Sequence, residues 1–352
     1  MCKPLGNLKE AIIADPNLTR IALCMHSMPD PDSIGSALGL SKVLKNWNPE
    51  IKCTYIYEGE ISHPQNKTLI NLLNIPLTNA KEIEDIEGKF DHFISLDVMP
   101  ERCLQCCDID VEYLMAIDHH RAETSSAKFT DIRPVGATSS IIWEYLHKED
   151  IAFNEEDEED IFIATALVFG IQTDTDDLTS ENVTSLDYKA VEGLMKYADR
   201  SKIQLIKNYP IPSYQFELEG KLNDEGNIKV TNGIFVGGVG YISITKRDAL
   251  PTMASLRARM EGVDTAFIFG IIDDHIEVSV RSQGVSIDVN TLCQKIFGKD
   301  HAGGKMGAGA AKVPLGFLGV SSTASEDVKE KAWEAIKTIV IDKIFHIMEG
   351  NG

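Results

Sequence analysis

The sequence predicts an α/β protein with an N-terminal open, mostly parallel sheet domain followed by a smaller C-terminal α+β domain. Three observations carry this expectation. A length of 352 residues exceeds one typical domain. The N-terminal part alternates short apolar runs with stretches of helical periodicity, the pattern of a parallel sheet with crossover helices. The C-terminal part instead places strand-like runs around tight turns.

Arg20 to His26 reads as a buried strand, and Ser33 to Leu44 shows apolar residues at helical spacing, so the segment between them occupies a strand-to-helix turn. Lys52 to Tyr57 is strand-like, Asn66 to Leu73 helical, and Phe90 to Val98 and Tyr113 to Ile117 are further strands. The run SSIIWEYLHKED is an amphipathic helix. The acidic residues Glu155 to Asp160 form a solvated helix start ahead of the apolar run IFIATALVFGIQTDT. Pro210 and Pro212 discourage continued helix, which suggests domains at 1–200 and 223–352 joined by a linker at 201–222.

Beyond the linker, GIFVGGVGYISITK and TAFIFGIIDDHIEVSVRS read as strands, the second turning at Asp273-Asp274, with the helix LPTMASLRARMEG between them. Gly237-Gly-Val-Gly240 has neither the following helix nor the Lys-Ser/Thr of a phosphate loop and reads as a bulge or tight turn. A glycine-rich loop at His301–Ala310 leads to a final helix from Ser325 to Met348.

Composition narrows the function. With 34 basic and 54 acidic side chains the formal charge is −20, which opposes binding to long double-stranded nucleic acid. Seven cysteines without regular pairing suit a reducing cytoplasm, and no apolar run approaches the ~20 residues of a membrane span. Cys103, Cys106 and Cys107 have no second pair at zinc-finger spacing, so a structural zinc is not expected.

Several strand ends carry chemistry. His26, Asp30 and Asp32 follow the first strand within seven residues, in a turn stiffened by two prolines. Asp97 closes the strand FDHFISLD, and Asp118-His119-His120 follows LMAI. Asp174 arrives at the end of the long apolar helix. Strand ends of an open α/β sheet converge on the usual ligand crevice, and mixed carboxylate and imidazole ligands suit Mn²⁺ or Mg²⁺ better than structural Zn²⁺. His26, Asp30, Asp32, Asp97, His119 and Asp174 supply ligands for two divalent ions if one carboxylate bridges, and Asp118 is placed to orient a ligating histidine. The polar loop from Gly59 to Asn66 is either cleft lining or plain loop.

The order and wording of these segments resemble the DHH superfamily of phosphoesterases, in the branch with an appended DHHA1 substrate domain that includes nanoRNase/pAp-phosphatase and RecJ-like proteins. HSMPDPDSIGS, Asp97, Asp118-His119-His120 and GIQTDT stand for its four ordered motifs, and GATSSIIWEYL looks like its Thr/Ser-containing helix. The resemblance implies an active site in the cleft between the two domains and two ions, Mn²⁺ first, with Mg²⁺ or Co²⁺ as substitutes. It gives one ion His26, Asp30 and Asp97 and the other Asp32, Asp97, His119 and Asp174, with Asp97 as the bridge. His120 would face the substrate phosphate and Asp118 would support the histidines from behind, so Asp97, Asp118, His119 and His120 form the catalytic set.

In the second domain, Arg281 and Ser282 look like the family's Arg-Ser element, and a guanidinium there can hold a phosphate through paired hydrogen bonds. Gly303, Gly304, Gly307 and Gly309 would let backbone amides approach an anion. Relatives place a histidine after the paired glycines, whereas Lys305 stands there, so the expectation is that His301 or Lys305 takes that contact or that the loop follows a subfamily variant. The implied substrate is a short nucleotide, either an oligoribonucleotide or 3′-phosphoadenosine 5′-phosphate. A polyphosphatase or pyrophosphatase is the alternative, and a non-catalytic nucleotide sensor a more distant one. The resemblance also allows a homodimer.

Overall fold

The computed structural model describes residues 3–15, 17–105, 111–120, 124–284, 287–305, 307–320, 324–348 and 350, with backbone alone at Lys305 and Leu318. The chain divides into two units, Met1–Pro210 and Ile211–Gly352.

Unit 1 runs α1 (Lys3–Ala14), β1 (Arg20–Cys24), α2 (Pro31–Trp47), β2 (Lys52–Tyr57), α3 (Pro64–Leu72), β3 (Leu77–Asn79), α4 (Ile86–Lys89), β4 (His92–Leu96), β5 (Tyr113–Asp118), β6 (Phe129–Ile132), α5 (Thr138–Lys148), α6 (Glu158–Asp174), α7 (Ser185–Leu194) and α8 (Arg200–Lys207). Its six strands are all parallel in the order β3-β2-β1-β4-β5-β6. The chain leaves β1 towards one edge and returns to β4 on the other side, which makes the carboxyl ends of β1 and β4 the switch point where open α/β sheets form a crevice.

Local chemistry explains how that crevice is framed. Asp30 is the N-cap of α2, accepting from the Ser33 N–H at 2.9 Å, and Pro31 takes the first helical position, where its missing N–H costs nothing. The middle of α6 is apolar on all sides and correspondingly buried from Ile163 to Ile171. It passes α2 at Gly170, where a Cβ would stand 2.8 Å from the Pro31 carbonyl oxygen and 2.9 Å from Asp32 Cα. Only glycine allows this approach, which brings the end of α6 beside the first motif.

Unit 2 runs α9 (Ser213–Leu222), β7 (Ile228–Thr231), β8 (Ile234–Tyr241), α10 (Ala249–Arg257), β9 (Thr265–Ile272), β10 (His275–Ser282), α11 (Val289–Phe297), β11 (Ala302–Lys305), β12 (Ala308–Pro314) and α12 (Glu326–Met348). Its sheet has the order β11-β12-β10-β9-β8-β7, parallel only between β8 and β9. One apolar cluster on this sheet includes α11 and α12 residues, another α9 and α10 residues. The Gly237–Gly240 run is a bulge, with the register shifting between Gly238 and Tyr241 and Gly240 at φ +77°.

The division at Pro210 falls inside the expected linker at 201–222, which also holds most of α8 and all of α9; the chain is non-helical between them at 208–212, with Pro212 at the N-cap of α9. One expectation is corrected. The glycine-rich segment is a β-hairpin of β11 and β12 rather than a loop. Gly309 serves packing, since a Cβ there would lie 2.6 Å from Cys293 Sγ and 2.7 Å from Val289 Cγ1 under α11. Of the discounted cysteines, Cys103 is buried with a free thiol, and Cys106 and Cys107 lie outside the described residues. Among the described residues no helix is long and apolar enough to cross a membrane.

Candidate metal centre

The adjacent strands β1, β4 and β5 end at one edge, and each hands over a ligating residue. His26 follows β1, Asp97 follows β4, and Asp118 ends β5 with His119 and His120 directly after it. Asp30 and Asp32 come from the start of α2 and Asp174 from the last position of α6. Three ligand groups form there: His26 with Asp30 and Asp97, Asp32 with His119 and Asp174, and Asp97 with His119 and His120. Asp97 stands between the first two. Its Oδ2 is 3.9 Å from His26 Nε2, and its Oδ1 is 3.4 Å from His119 Nε2.

The backbone delivers Asp97 at a cost. Its φ is +59°, a left-handed conformation unfavourable for a residue with a Cβ, held by a ladder bond from its N–H to the Ile117 carbonyl at 2.9 Å. The Thr138 hydroxyl donates to Asp97 Oδ1 at 2.9 Å.

Each histidine is oriented through its Nδ1. For His119 the partner is the Val135 carbonyl at 3.1 Å, and for His26 the Ser27 carbonyl at 2.9 Å. A carbonyl only accepts, so Nδ1 carries the proton and Nε2 offers its lone pair to the cluster. Asp118 supports only His120, accepting from its backbone N–H and from its Nδ1, both at 2.9 Å. The expectation that Asp118 backs both histidines is corrected, because the Val135 carbonyl already occupies His119 Nδ1.

Asp32 has no exposed surface and binds the start of α5, accepting the Thr138 N–H at 2.7 Å and the Ser139 N–H at 2.8 Å. The positive end of a helix suits a carboxylate. Sequence reasoning had marked the Thr/Ser run as a motif without giving Thr138 or Ser139 a task. The Val135 contact uses a backbone atom and leaves no signal in residue type. Asn66, in the loop left open above, donates to the Pro29 carbonyl at 3.0 Å and so steadies the first motif, while His63 caps α3.

The electrostatics test whether these residues suit cations. Burial, then the charges of Asp174 and Asp30, raise Asp32 to about 7 against the pull of His119. Burial and the surrounding carboxylates of Asp32, Asp30 and Asp174 push Asp97 well up. Burial opposes protonation of His119, yet Asp174 and Asp32 carry it to about 9. Asp30 moves the other way, to about 2, because His26 and Ser33 outweigh its burial. His119 Nε2 is buried 3.1 Å from Asp174 Oδ2 without an aligned hydrogen bond. Crowded buried carboxylates whose pKa values their neighbours raise and an imidazole nitrogen without a bond both call for positive charge. The donor set, oxygen with two or three imidazoles, fits divalent ions of the Mn²⁺ and Mg²⁺ kind.

Comparison with known proteins agrees with this geometry. Residues 20–171 match the model of the DHH family, N-terminal domain. Over this segment the chain is similar to the DHH family. An uncharacterized protein of Methanocaldococcus jannaschii is 35% identical over 326 residues, 92% of this chain and 64% of that relative. A probable manganese-dependent inorganic pyrophosphatase of Lactobacillus acidophilus is 30% identical over 179 residues, 49% of this chain and 53% of the relative. The chain thus spans 64% and 53% of the lengths of these two curated relatives. Among solved structures, an exopolyphosphatase-related protein from Bacteroides fragilis shares the fold, with a TM-score of 0.67 and 18% identity over 96% of this chain and 97% of that one.

Beside the candidate metal cluster lies a cavity of about 1000 Å³ lined by His26, Asp30, Asp97, Asp118 and His120. Arg102, on the turn after β4, is its one cationic lining side chain besides the histidines among the described residues, and sequence reasoning missed it. The residues expected to bind substrate in unit 2 are only partly brought together. Arg281, His301, Gly303 and Gly304 line a depression of about 810 Å³ with Arg247, Lys299 and Lys312. Arg281 is half-buried, its Nη1 donating to its own Val280 carbonyl at 2.9 Å, and burial lowers its pKa. Ser282 lies off the depression, its hydroxyl 2.9 Å from Thr265 Oγ1 and 3.1 Å from the Asp264 carbonyl. The Gly304 N–H is taken by Asn290 Oδ1 at 3.0 Å, and the side chain of Lys305 lies outside the described residues.

Proposed function

We propose that this protein is a metal-dependent phosphohydrolase that uses two divalent ions, manganese foremost, on short nucleotide substrates. The observation that carries the reading is Asp97, with one carboxylate oxygen facing His26 and the other facing His119, as a bridging ligand requires. His26, Asp30 and Asp97 would hold one ion and Asp32, Asp97, His119 and Asp174 the other. When bound, such a pair supplies charge for a phosphoryl group and acidifies water near neutral pH.

The chain's own residues do the rest. His120 is 63% exposed beside the cavity, with Nδ1 engaged by Asp118, so Nε2 is its free nitrogen for a substrate oxygen. Arg102 supplies a cation on a wall otherwise lined by Asp30, Asp97, Glu101 and Asp118. In unit 2, Arg281 has no carboxylate partner among the described residues, which leaves its guanidinium for a phosphate.

These features favour a short substrate with a terminal phosphate over a phosphate chain. A polyphosphate carries a charge at every unit, and apart from the ions' own ligands the described lining of the cavity offers Arg102 against Glu101 and Asp118. The second reading, a pyrophosphatase or exopolyphosphatase, is favoured by the similarity to the probable pyrophosphatase of Lactobacillus acidophilus and to the exopolyphosphatase-related protein of Bacteroides fragilis. The free thiols of Cys24, Cys53, Cys103 and Cys293 suit a reducing cytoplasm.

The deciding experiment incubates purified protein with Mn²⁺ and, separately, a 5′-phosphorylated dinucleotide, 3′-phosphoadenosine 5′-phosphate, polyphosphate and pyrophosphate, and measures product. Turnover of the first two is expected. Hydrolysis confined to polyphosphate or pyrophosphate would replace the short-nucleotide reading with the second one.

A further inference from the structure

Asp187 belongs to none of the four motifs, yet it is completely buried at the third position of α7. Its Oδ2 accepts from the Thr184 N–H and hydroxyl, both at 2.7 Å, which forms a capping box on its own helix. That box explains only half of its contacts. Oδ2 also accepts from the Gly136 N–H at 3.0 Å, and Oδ1 from the Ser140 hydroxyl at 2.6 Å. A capping box works equally well in water, whereas burying a carboxylate is costly unless its hydrogen bonds are complete. The burial therefore serves the segment at 135–140.

That segment is where the metal centre is held from behind. Val135 gives its carbonyl to His119, Thr138 its hydroxyl to Asp97, and Thr138 and Ser139 their N–H groups to Asp32. The N-cap of α5 is Ala137, which has no side-chain acceptor of its own. The start of α5 is instead fixed between two buried carboxylates from elsewhere, Asp32 on one side and Asp187 on the other. Gly136 makes this possible, since a Cβ there would lie 2.8 Å from Asp187 Oδ2 and 2.5 Å from Thr175 Cγ2.

We propose that Asp187 is a positioning residue for the metal centre, fixing the start of α5 and through it the His119 ring and the carboxylates of Asp97 and Asp32. The proposal rests on the two-ion reading above. It differs from a structural role in one respect: Asp187 sets how tightly the centre binds divalent cations, over and above how stable the fold is.

The test uses the full chain stripped with chelator, titrated with Mn²⁺ alone by calorimetry, with melting of the metal-free protein in parallel. Asp187→Asn keeps the volume and replaces an accepting oxygen with a donor, and Mn²⁺ affinity is expected to fall about 10- to 100-fold, the usual effect of losing a partner behind the ligands. Gly136→Ala should act in the same direction with the carboxylate intact, and Ser140→Ala more weakly. The control is Asp160→Asn, a buried carboxylate at the far end of α6 bonded to Lys42 and to the Asn154 N–H. It should lower the melting temperature and leave Mn²⁺ affinity unchanged. If Asp187→Asn melts early but binds Mn²⁺ like the wild type, the proposal is overturned. Should that variant not fold, unaltered affinity in both Gly136→Ala and Ser140→Ala overturns it instead. A wild-type protein that binds no Mn²⁺ defeats the two-ion reading itself, and this proposal with it.

Discussion

The two units treat charge in opposite ways. At the sheet edge of unit 1, Asp30, Asp32, Asp97 and Asp174 stand together with no lysine or arginine in the three ligand groups among the described residues, and the repulsion shows as raised pKa values at Asp32 and Asp97. In unit 2 the unbalanced group is a cation, Arg281, half-buried beside a hairpin of glycine and alanine. Under the proposed function, the cluster in unit 1 would receive the ions and Arg281 in unit 2 would receive the phosphate, although the same depression also carries Asp248, Glu277 and Asp300. A metal-assisted phosphohydrolase needs both, because its ions and its substrate have opposite signs.

The sharpest way to break this comparison is Asp97→Asn. Losing the bridging carboxylate should lower turnover at least about 10²-fold, the scale of removing one preorganised electrostatic group. The same change removes a charge from a crowded buried cluster, so the metal-free variant should melt no earlier than metal-free wild type. Near-normal turnover would show that Asp97 does not bridge the ions, and a clear loss of metal-free stability would show that its neighbours do not repel its charge as described.

Metal removal comes next in size. An ion present at 100 times its dissociation constant stabilises the folded state by about 2.7 kcal/mol if the unfolded chain does not bind it. Chelation should therefore lower the melting temperature of wild type by several degrees, and readdition of Mn²⁺ should restore it. An Arg281→Ala protein should show the same shift, since nothing in unit 2 contributes a ligand to the three groups. Equal melting with and without Mn²⁺ would count against the centre.

How much of this was legible in the sequence follows the same division. The candidate ligands His26, Asp97, His119 and Asp174 stood out because each follows an apolar run, and an open parallel sheet sends its strand ends to one edge, while Asp30 and Asp32 stood out as carboxylates in the turn after β1. What sequence could not show was the support: a Val135 carbonyl has no residue-type signature, and Asp187 lies in an ordinary helix start. Unit 2 was harder. Its glycines suggested a loop that approaches an anion, whereas Gly309 is small to admit α11 and the Gly304 N–H is already used by Asn290. The prolines at 210 and 212 were easier to read, since both lie in the non-helical stretch 208–212 between α8 and α9, where the units divide.

Arg281 and Arg102 sharpen the substrate side. Arg281→Ala should raise KM for a short nucleotide about 10- to 100-fold, the range of a lost hydrogen bond to a charged group, with kcat changed far less. Arg281→Lys should recover only part of the loss, because an ammonium does not reproduce the paired donors of a guanidinium. Arg102→Ala is expected to have a smaller effect, since an exposed side chain holds a phosphate in screened water. Steady-state kinetics on the three variants measures the order, and an Arg102 effect larger than that of Arg281 would reverse the roles assigned to the two units.

The smallest effect concerns backbone strain, which the units also distribute differently. In unit 2 the described non-glycine residues with positive φ are Asn232 and Asp273, both at hairpin turns, with Asn232-Gly233 linking β7 to β8 in the way asparagine and glycine favour. In unit 1, directly after the ligand Asp174, three consecutive residues are left-handed: Asp176 at φ +47°, Asp177 at +56° and Leu178 at +66°. A left-handed residue with a Cβ costs roughly 1–2 kcal/mol, and bonds from the Asp177 N–H to the Gln172 carbonyl and from the Thr179 N–H to the Thr175 carbonyl hold the turn. Asp176→Gly should therefore raise stability by about 0.5–1 kcal/mol in denaturant unfolding, while Asn232→Gly should change it by only a few tenths. If the strain is part of how Asp174 is aimed, relaxing it should also weaken Mn²⁺ binding a few-fold in Asp176→Gly and leave it untouched in Asn232→Gly. A stabilised Asp176→Gly protein with wild-type Mn²⁺ affinity would show that the turn is tolerated by the centre and not used by it.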